Sequence, residues 1–310
     1  MKSRVLILIL VVTAYTNIFA QDEDTRDETL RSHPRKSKFL TGLYVASYFA
    51  NKHSASTYNG YGFDIDGNRN PFENSFMHQK IINEYGGGYG QHDYIADAIG
   101  VDQRQWTFNE SDMPFNMHYI PAIVIGVNFR IPVARKSSLI INVNGTKLNV
   151  EGNFTLGTIK PNNPNPLVNT NVQTHVIKGG EQRLFFQAGF QQLFGANDAF
   201  NFLLEGGVAG TLSKFDRNYV LINDLKIDLT YYVNQTLYPA PYPTKNPVGF
   251  GLGAFAGMGA NIDAEKFNVQ FVYTPSFEKI NIGTDPKHKL QHALGIRFYY
   301  KFLKMKAPDS

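Results

Sequence analysis

The chain of 310 residues carries 30 Lys and Arg against 26 Asp and Glu, with 18% charged and 14% aromatic residues, a composition that excludes a disordered chain. It holds no Cys, which excludes a disulfide framework, a thiolate metal site and a thiol nucleophile. A mean hydropathy of −0.27 excludes a polytopic helical membrane protein and leaves a folded, aromatic-rich β protein.

Residues 1–20 read as a secretory signal peptide. Lys2 and Arg4 precede an apolar run from Val5 to Val12, too short for a membrane span, and Ala20-Gln21 is the expected cleavage point. Cleavage removes two cations and no acid, lowering the formal +4 by two, so net charge does not point to nucleic acid. Residues 21–37 mix both signs of charge around Pro34 without apolar periodicity and read as a periplasmic tail.

Phe39 to Phe49 is the first predicted strand. Residues 50–114 follow as one long external loop, too long for a simple connection and the first candidate for a functional element. Within it, Asp64-Ile-Asp66-Gly67-Asn68-Arg-Asn70 has the oxygen-rich spacing of a weak Ca²⁺ loop. Gly67 is the fourth residue instead of the sixth, and Ser75 stands where a bidentate Glu belongs, so an Asx/Gly turn is the expected structure. Ser75 to Glu84 is predicted as a short helix closed by Gly86-Gly87-Gly88, and His92 to Ile99 as a second one. Trp106, the only Trp, and Phe108 are expected as an external-loop interface anchoring near the upper membrane surface.

From Phe115 the sequence alternates with period two. Odd positions through Val133 are apolar, with His118, Asn128 and Arg130 on the other face, which predicts one long strand. Equivalent faces follow around Leu139–Val143, Leu184–Phe194, Phe200–Leu212, Phe250–Ile262, Phe267–Phe277 and Leu294–Phe302. The Leu139 strand is expected to break phase near Gly145 through a bulge. Eight strands result, with connections alternating long and short: tight turns at 134–137, 195–199 and 263–266, long loops at 50–114, 156–179 and 222–247. That asymmetry, with an even strand count, is the pattern of an antiparallel up-and-down transmembrane β-barrel, all-β in class, over residues 38–302. A soluble sandwich has the same periodicity with its apolar face inward. Against it stand the length of the strands and the charges Arg130, Glu205 and Arg297 on the mixed face. Residues 303–310 read as a C-terminal tail.

The signal ending in Phe19-Ala20-Gln21, the eight alternating strands and the closing run Gly295-Ile-Arg-Phe-Tyr-Tyr-Lys-Phe302 together resemble small outer-membrane β-barrel proteins of the OmpA-like or PorT-like kind common in Bacteroidota. The resemblance implies a bacterial outer-membrane location and a barrel that hosts many functions. It transfers no catalytic residue.

An eight-stranded barrel is just wide enough for side chains to fill its lumen. The glycines 249, 251, 253, 257 and 259 on one wall leave room either for larger groups opposite or for a narrow cavity, and filling is expected. Arg130, Glu205 and Arg297 fall at similar depth, so Glu205 is expected between the two cations as a lumen plug. The eight His show no ligand spacing, so no metal and no cofactor is expected. Ser111, Asp112 and His118 are close in sequence without a fixed geometry, so no enzyme is expected. The favoured function is a structural or interaction protein that presents external loops or docks with secretion or surface-assembly components of the envelope. Its partners would be outer-membrane lipid and envelope proteins, with no nucleic acid. A narrow small-solute channel is the alternative, and a surface enzyme ranks third.

Overall fold

The computed structural model describes residues 39–62, 68–159, 170–196, 199–229, 248–280 and 288–300; the signal peptide, both predicted tails, Asp64, Asp66 and Phe302 lie outside them. Eight long strands form the wall: β1 (Leu40–Phe49), β2 (Ala122–Pro132), β3 (Ser137–Ile159), β4 (Thr170–Phe194), β5 (Phe200–Ile222), β6 (Val248–Asp263), β7 (Phe267–Lys279) and β8 (His288–Tyr300). Each pairs antiparallel with its sequence neighbour, and β8 closes on β1 with Gly42 opposite Tyr299. The ring is therefore an up-and-down barrel without open edges. β1 starts and β8 ends at the same rim. The links 133–136 and 264–266 lie there too, and the described residues between β1 and β2 lie at the opposite end.

The outward positions are apolar, and they are bare. Leu43, Ile123, Phe202, Leu252 and Leu294 are each 60–67% exposed, whereas the inward neighbours Asn128, Gln191, Gln270 and Arg297 are buried. An apolar ring this continuous is unstable in water and stable in lipid, and it closes a hydrogen-bonded wall that needs nothing from the bilayer. Stacked pairs such as Phe39 with Phe129 (5.8 Å) and Phe267 with Phe298 (5.9 Å) mark the belt's lower edge. The protein is a transmembrane β-barrel of the bacterial outer membrane. It crosses with strands; no helix among the described residues is long and apolar enough to span.

Strands β3, β4 and β5, of 23, 25 and 23 residues, outrun the rest and continue above the belt. There the two faces exchange character. On β3 the inward positions run Asn142, Asn144, then Leu148, Val150, Phe154 and Leu156, all buried, and the outward ones run Leu139, Ile141, then Lys147, Asn149, Glu151 and Asn153. The expected phase break at Gly145 is thus no bulge, since the β2–β3 and β3–β4 registers pass through it unbroken. The strand keeps its phase while its surroundings change from lipid outside to water outside. Cross-strand pairs Lys147–Asp216 (3.1 Å) and Lys178–Glu151 (3.3 Å) decorate this upper wall. A register shift does occur where β4 residues Gly180 and Glu181 meet β5, and it carries the inward face of β5 from odd positions such as Ser213 to even ones such as Asn218.

The strand expected from Phe115 to Val133 is also divided. His118 and Tyr119 pair with Glu151 and Val150 of β3, and β2 begins only at Ala122. Pro121, which has no N–H for a ladder, separates them, and the inward parity changes across it from Met117 and Tyr119 to Val124 and Asn128. His118, expected in the lumen, consequently faces outward and is exposed.

The upper barrel is filled by the segment between β1 and β2. Helix α1 (Lys52–Ala55), helix α2 (Phe76–His78) and helix α3 (Tyr94–Ile99) are its regular elements, and α2 runs on into a π-helical turn over Gln79–Glu84. Ser75 caps α2 by accepting from the His78 N–H at 3.1 Å, and Gly100, in the left-handed region, ends α3. Tyr58, Met77, Ile81, Ile95 and Ile99 bury themselves against Leu148, Phe154, Leu156, Ile177, Val220 and Ile222 of the wall. What the sequence presents as a long loop is a plug with its own core.

Candidate functional site: lumen and plug

Two polar layers cross the lumen. In the lower one, Arg297 holds Glu205 with both arms of its guanidinium: Nη1 donates to Oε2 at 2.5 Å and Nη2 to Oε1 at 2.7 Å. Gln191 donates to the same Oε2 at 3.1 Å and exchanges hydrogen bonds with Gln270, which donates to Asn261 at 3.0 Å. The Tyr44 ring lies 5.5 Å from Arg297 Cζ. Both charges are buried, and the pair has the bidentate geometry and extra hydrogen bonds that offset desolvation.

Arg130 does not share this carboxylate. Its Nε donates to Ser138 Oγ at 3.0 Å, one strand away. The expected Arg–Glu–Arg cluster is therefore a Glu205–Arg297 pair with Arg130 set apart. Counting residues from each strand's end put all three at one level, but that count ignores the stagger between strands, which sets Arg130 opposite Leu40 of β1 and Arg297 opposite Tyr44, four residues further along. Beside Arg130 an amide ladder runs from Asn128 to Asn142 (2.7 Å) and on to Gln187 (3.1 Å).

The glycine file of β6 makes the lower layer compact. A Cβ on Gly257 would lie 2.5 Å from Glu205 Cγ, so the carboxylate stem occupies the space that glycine leaves. Phe255, on the same wall, reaches across to Gly189, where a Cβ would meet its ring at 2.9 Å. Of glycines 251, 253, 257 and 259, only Gly257 has its space taken by a side chain; at the others a Cβ would first meet the backbone of β7.

The upper layer was not foreseen. Glu181 and Arg183, both inward on β4, form a buried pair whose Nε–Oε1 contact is very short. Arg183 also donates to Tyr48 (3.0 Å) and Tyr119 (3.1 Å), and Glu181 accepts from Tyr119 (3.1 Å) and, at 2.8 Å, from the hydroxyl of Tyr58 in the plug. Burial first and the Glu181 charge second hold the Tyr58 hydroxyl protonated far above its ordinary range. Glu278 on β7 is 2% exposed and accepts from Thr211. The signal for this layer was present in the period-two inward parity of Glu181 and Arg183; it was hidden because both fall between the loop expected at 156–179 and the strand expected from Leu184.

Trp106 and Phe108 are not at the membrane surface. Trp106 is 8% exposed and donates Nε1 to both carboxylate oxygens of Asp93, at 3.1 and 3.2 Å; Asp93 in turn caps α3 through Ala96 N (2.9 Å) and accepts from Arg104 N (3.2 Å). Phe108 is 5% exposed and packs edge-on against Phe154 of β3. Both belong to the plug core. Indole amphipathicity suits a membrane interface and a buried carboxylate equally, and the composition alone does not distinguish them.

Of the candidate Ca²⁺ loop, Asp64 and Asp66 lie outside the described residues and Asn68 and Asn70 inside. Asn70 donates to the carbonyls of Gly62 (3.3 Å, backbone) and Tyr61 (3.2 Å, side chain), the bonding of a turn. No group of three His, Asp or Glu side chains converges among the described residues. Asp112 is spent on Asn109 N (2.8 Å) and Thr155 (2.6 Å), and His118 Nδ1 sits 3.1 Å from the Asn116 carbonyl, so Ser111, Asp112 and His118 form no relay.

No family model and no curated protein matches the chain. Among solved structures it is similar to Ail, the attachment invasion locus protein of Yersinia pestis, with a TM-score of 0.34 in two structures. The first, in complex with the heparin analogue sucrose octasulfate, is 9% identical and covers 85% of this chain and 97% of its own. The second is 10% identical over 86% and 99%. At that score the likeness transfers neither ligand nor function, and the fold rests on the closed ring itself.

Proposed function

We propose that the protein is a closed outer-membrane anchor whose plug and external segments are its working surface, a structural or interaction protein that docks other envelope components. The observation that carries this reading is the double closure of the lumen: a bidentate Glu205–Arg297 layer below and a hydrophobic plug, latched by Tyr58 on Glu181, above. A pore of eight strands has no spare width for both. Secretion or surface-assembly components, reached from the external side, are the partners this reading favours, in keeping with the OmpA-like or PorT-like sequence pattern. The reading also makes the protein a non-enzyme, supported by the turn-forming roles of Asp112 and His118.

Reconstitution in planar bilayers tests it. The purified barrel is expected to give no stable conductance step; a reproducible open level would overturn the closed anchor in favour of a narrow solute channel. A photo-reactive residue at Tyr89, 86% exposed at the plug's tip, is expected to capture a protein of the envelope in intact cells.

A further inference from the structure

Between the two polar layers lies a cavity of about 20 Å³, walled by Tyr44, Tyr48, Asn144, Thr274, Ser276 and Glu278 among others. That is room for one water or one small ion. The wall is rich in oxygen, and it is not satisfied. Asn144 Oδ1 is buried without a hydrogen-bond partner, and Thr274 Oγ1 has only the Tyr44 hydroxyl beside it, on residues that are each 4% exposed. Buried polar atoms in folded proteins almost always have their bonding capacity met, so an orphaned amide oxygen and an under-bonded hydroxyl on one small cavity point to an occupant.

The charge of the layer above indicates which. Glu181 and Glu278 are both buried, and a single guanidinium, Arg183, serves that layer; it bonds Glu181, Tyr48 and Tyr119, and its charge also acts on Glu278. Glu278 receives the Thr211 hydroxyl. Lys289 stands opposite Glu278 in the β7–β8 register, but no ion pair joins them among the described residues. Two buried carboxylates against one guanidinium leave the layer one positive charge short, and that is costly inside a barrel. One carboxylate with neutral hydroxyl and amide oxygens is a hard-donor set of low total charge; divalent sites recruit more carboxylates.

We infer that this cavity is a binding site for one small alkali cation, sodium or potassium, held by Glu278 with Thr274 and Asn144 and serving as the missing positive charge of the upper layer. The occupant lies between the two layers as a structural ion, and the reading stands whether or not the protein docks a partner.

The test is the unfolding midpoint of the full-length protein in detergent, followed by heat-modifiable gel mobility, in sodium, potassium and N-methylglucamine chlorides at equal ionic strength. The midpoint is expected to rise with sodium or potassium concentration and to stay flat with the bulky organic cation, by mass action on the folded state. Glu278→Gln is expected to remove the dependence. Thr274→Val, which keeps the shape and deletes one oxygen, is expected to weaken it and serves if the first variant does not fold. Equal wild-type midpoints in all three salts would overturn the inference and leave the cavity to water, and so would a dependence that survives in both variants. In crystals soaked with thallium(I), an anomalous peak beside Glu278 is expected; its absence at full soak would count against the site.

Discussion

Tyr58, in the segment between the first two strands, places its hydroxyl 2.8 Å from Glu181 on the inner wall of β4, across 123 residues of chain. This one bond joins the plug to the charged layer beneath it, because Glu181 is at the same time the partner of Arg183 and Tyr119. Stacking of the Tyr58 ring on Phe215 at 5.1 Å holds the donor in place.

Replacing Tyr58 with Phe keeps the ring and removes the donor. Glu181 retains two partners, so the loss is expected at about 1–3 kcal/mol, the cost of a buried acceptor losing one bond to a charged group. Limited proteolysis of the folded barrel should show faster cleavage between residues 50 and 121 with no change in barrel heat-modifiability. Unchanged cleavage would mean that packing alone seats the plug.

The lower layer behaves as a pair. Glu205→Gln leaves Arg297 buried beside a neutral amide and is expected to cost about 3–5 kcal/mol, whereas the double change Glu205→Leu, Arg297→Met should recover part of that loss. Arg130→Met should not be rescued by either change, since Arg130 bonds Ser138. Thermal midpoints of the single and double variants form the cycle that checks this.

The exchange of faces along β3 predicts two responses to one substitution. Ile141→Arg places a charge on the lipid belt and is expected to cost about 2–4 kcal/mol, while Asn153→Arg, on the outer wall twelve residues further up the same strand, is expected to be near neutral. Equal costs, measured by urea unfolding in lipid vesicles, would contradict a belt that ends below Lys147.

Topology is testable because the chain has no native Cys. Tyr89→Cys at the plug's tip should react with an impermeant maleimide on intact cells, and Lys136→Cys in the β2–β3 turn should react only after the outer membrane is opened. The reverse pattern would invert the barrel.

His78, in α2, gives the plug a pH dependence. Burial, partly opposed by Glu73, lowers its pKa from the ordinary 6.5, and its ring packs edge-on against Phe72 at 4.7 Å. A histidine kept neutral by folding binds fewer protons than its unfolded form, so its contribution is complete above 6.5 and declines as pH falls from there through the lowered value. Trp106 fluorescence is expected to report a looser plug in mild acid, and His78→Phe should flatten that change.

Period-two alternation was enough to read the barrel, its strand count and its lipid face, because outward side chains meet a uniform solvent and each position answers to it independently. Ile125, Phe186 and Phe271 all stand where that rule puts them, at 63, 44 and 48% exposure. The same rule failed above the membrane, where water replaces lipid outside and plug side chains fill the inside. There Leu148 and Phe154 look like a phase error, and Glu181 and Arg183 fall between an expected loop and an expected strand. The composition of the plug's core was legible in the sequence, but its docking was not: Trp106 meets Asp93 and Tyr58 meets Glu181 through contacts that no local periodicity encodes. The partner of Glu205 was likewise open until the ring closed. Counting residues from a strand's end ignores the stagger between strands, and only the tertiary structure sets that stagger: it puts Arg130 opposite Leu40 and Arg297 opposite Tyr44, choosing Arg297 over Arg130.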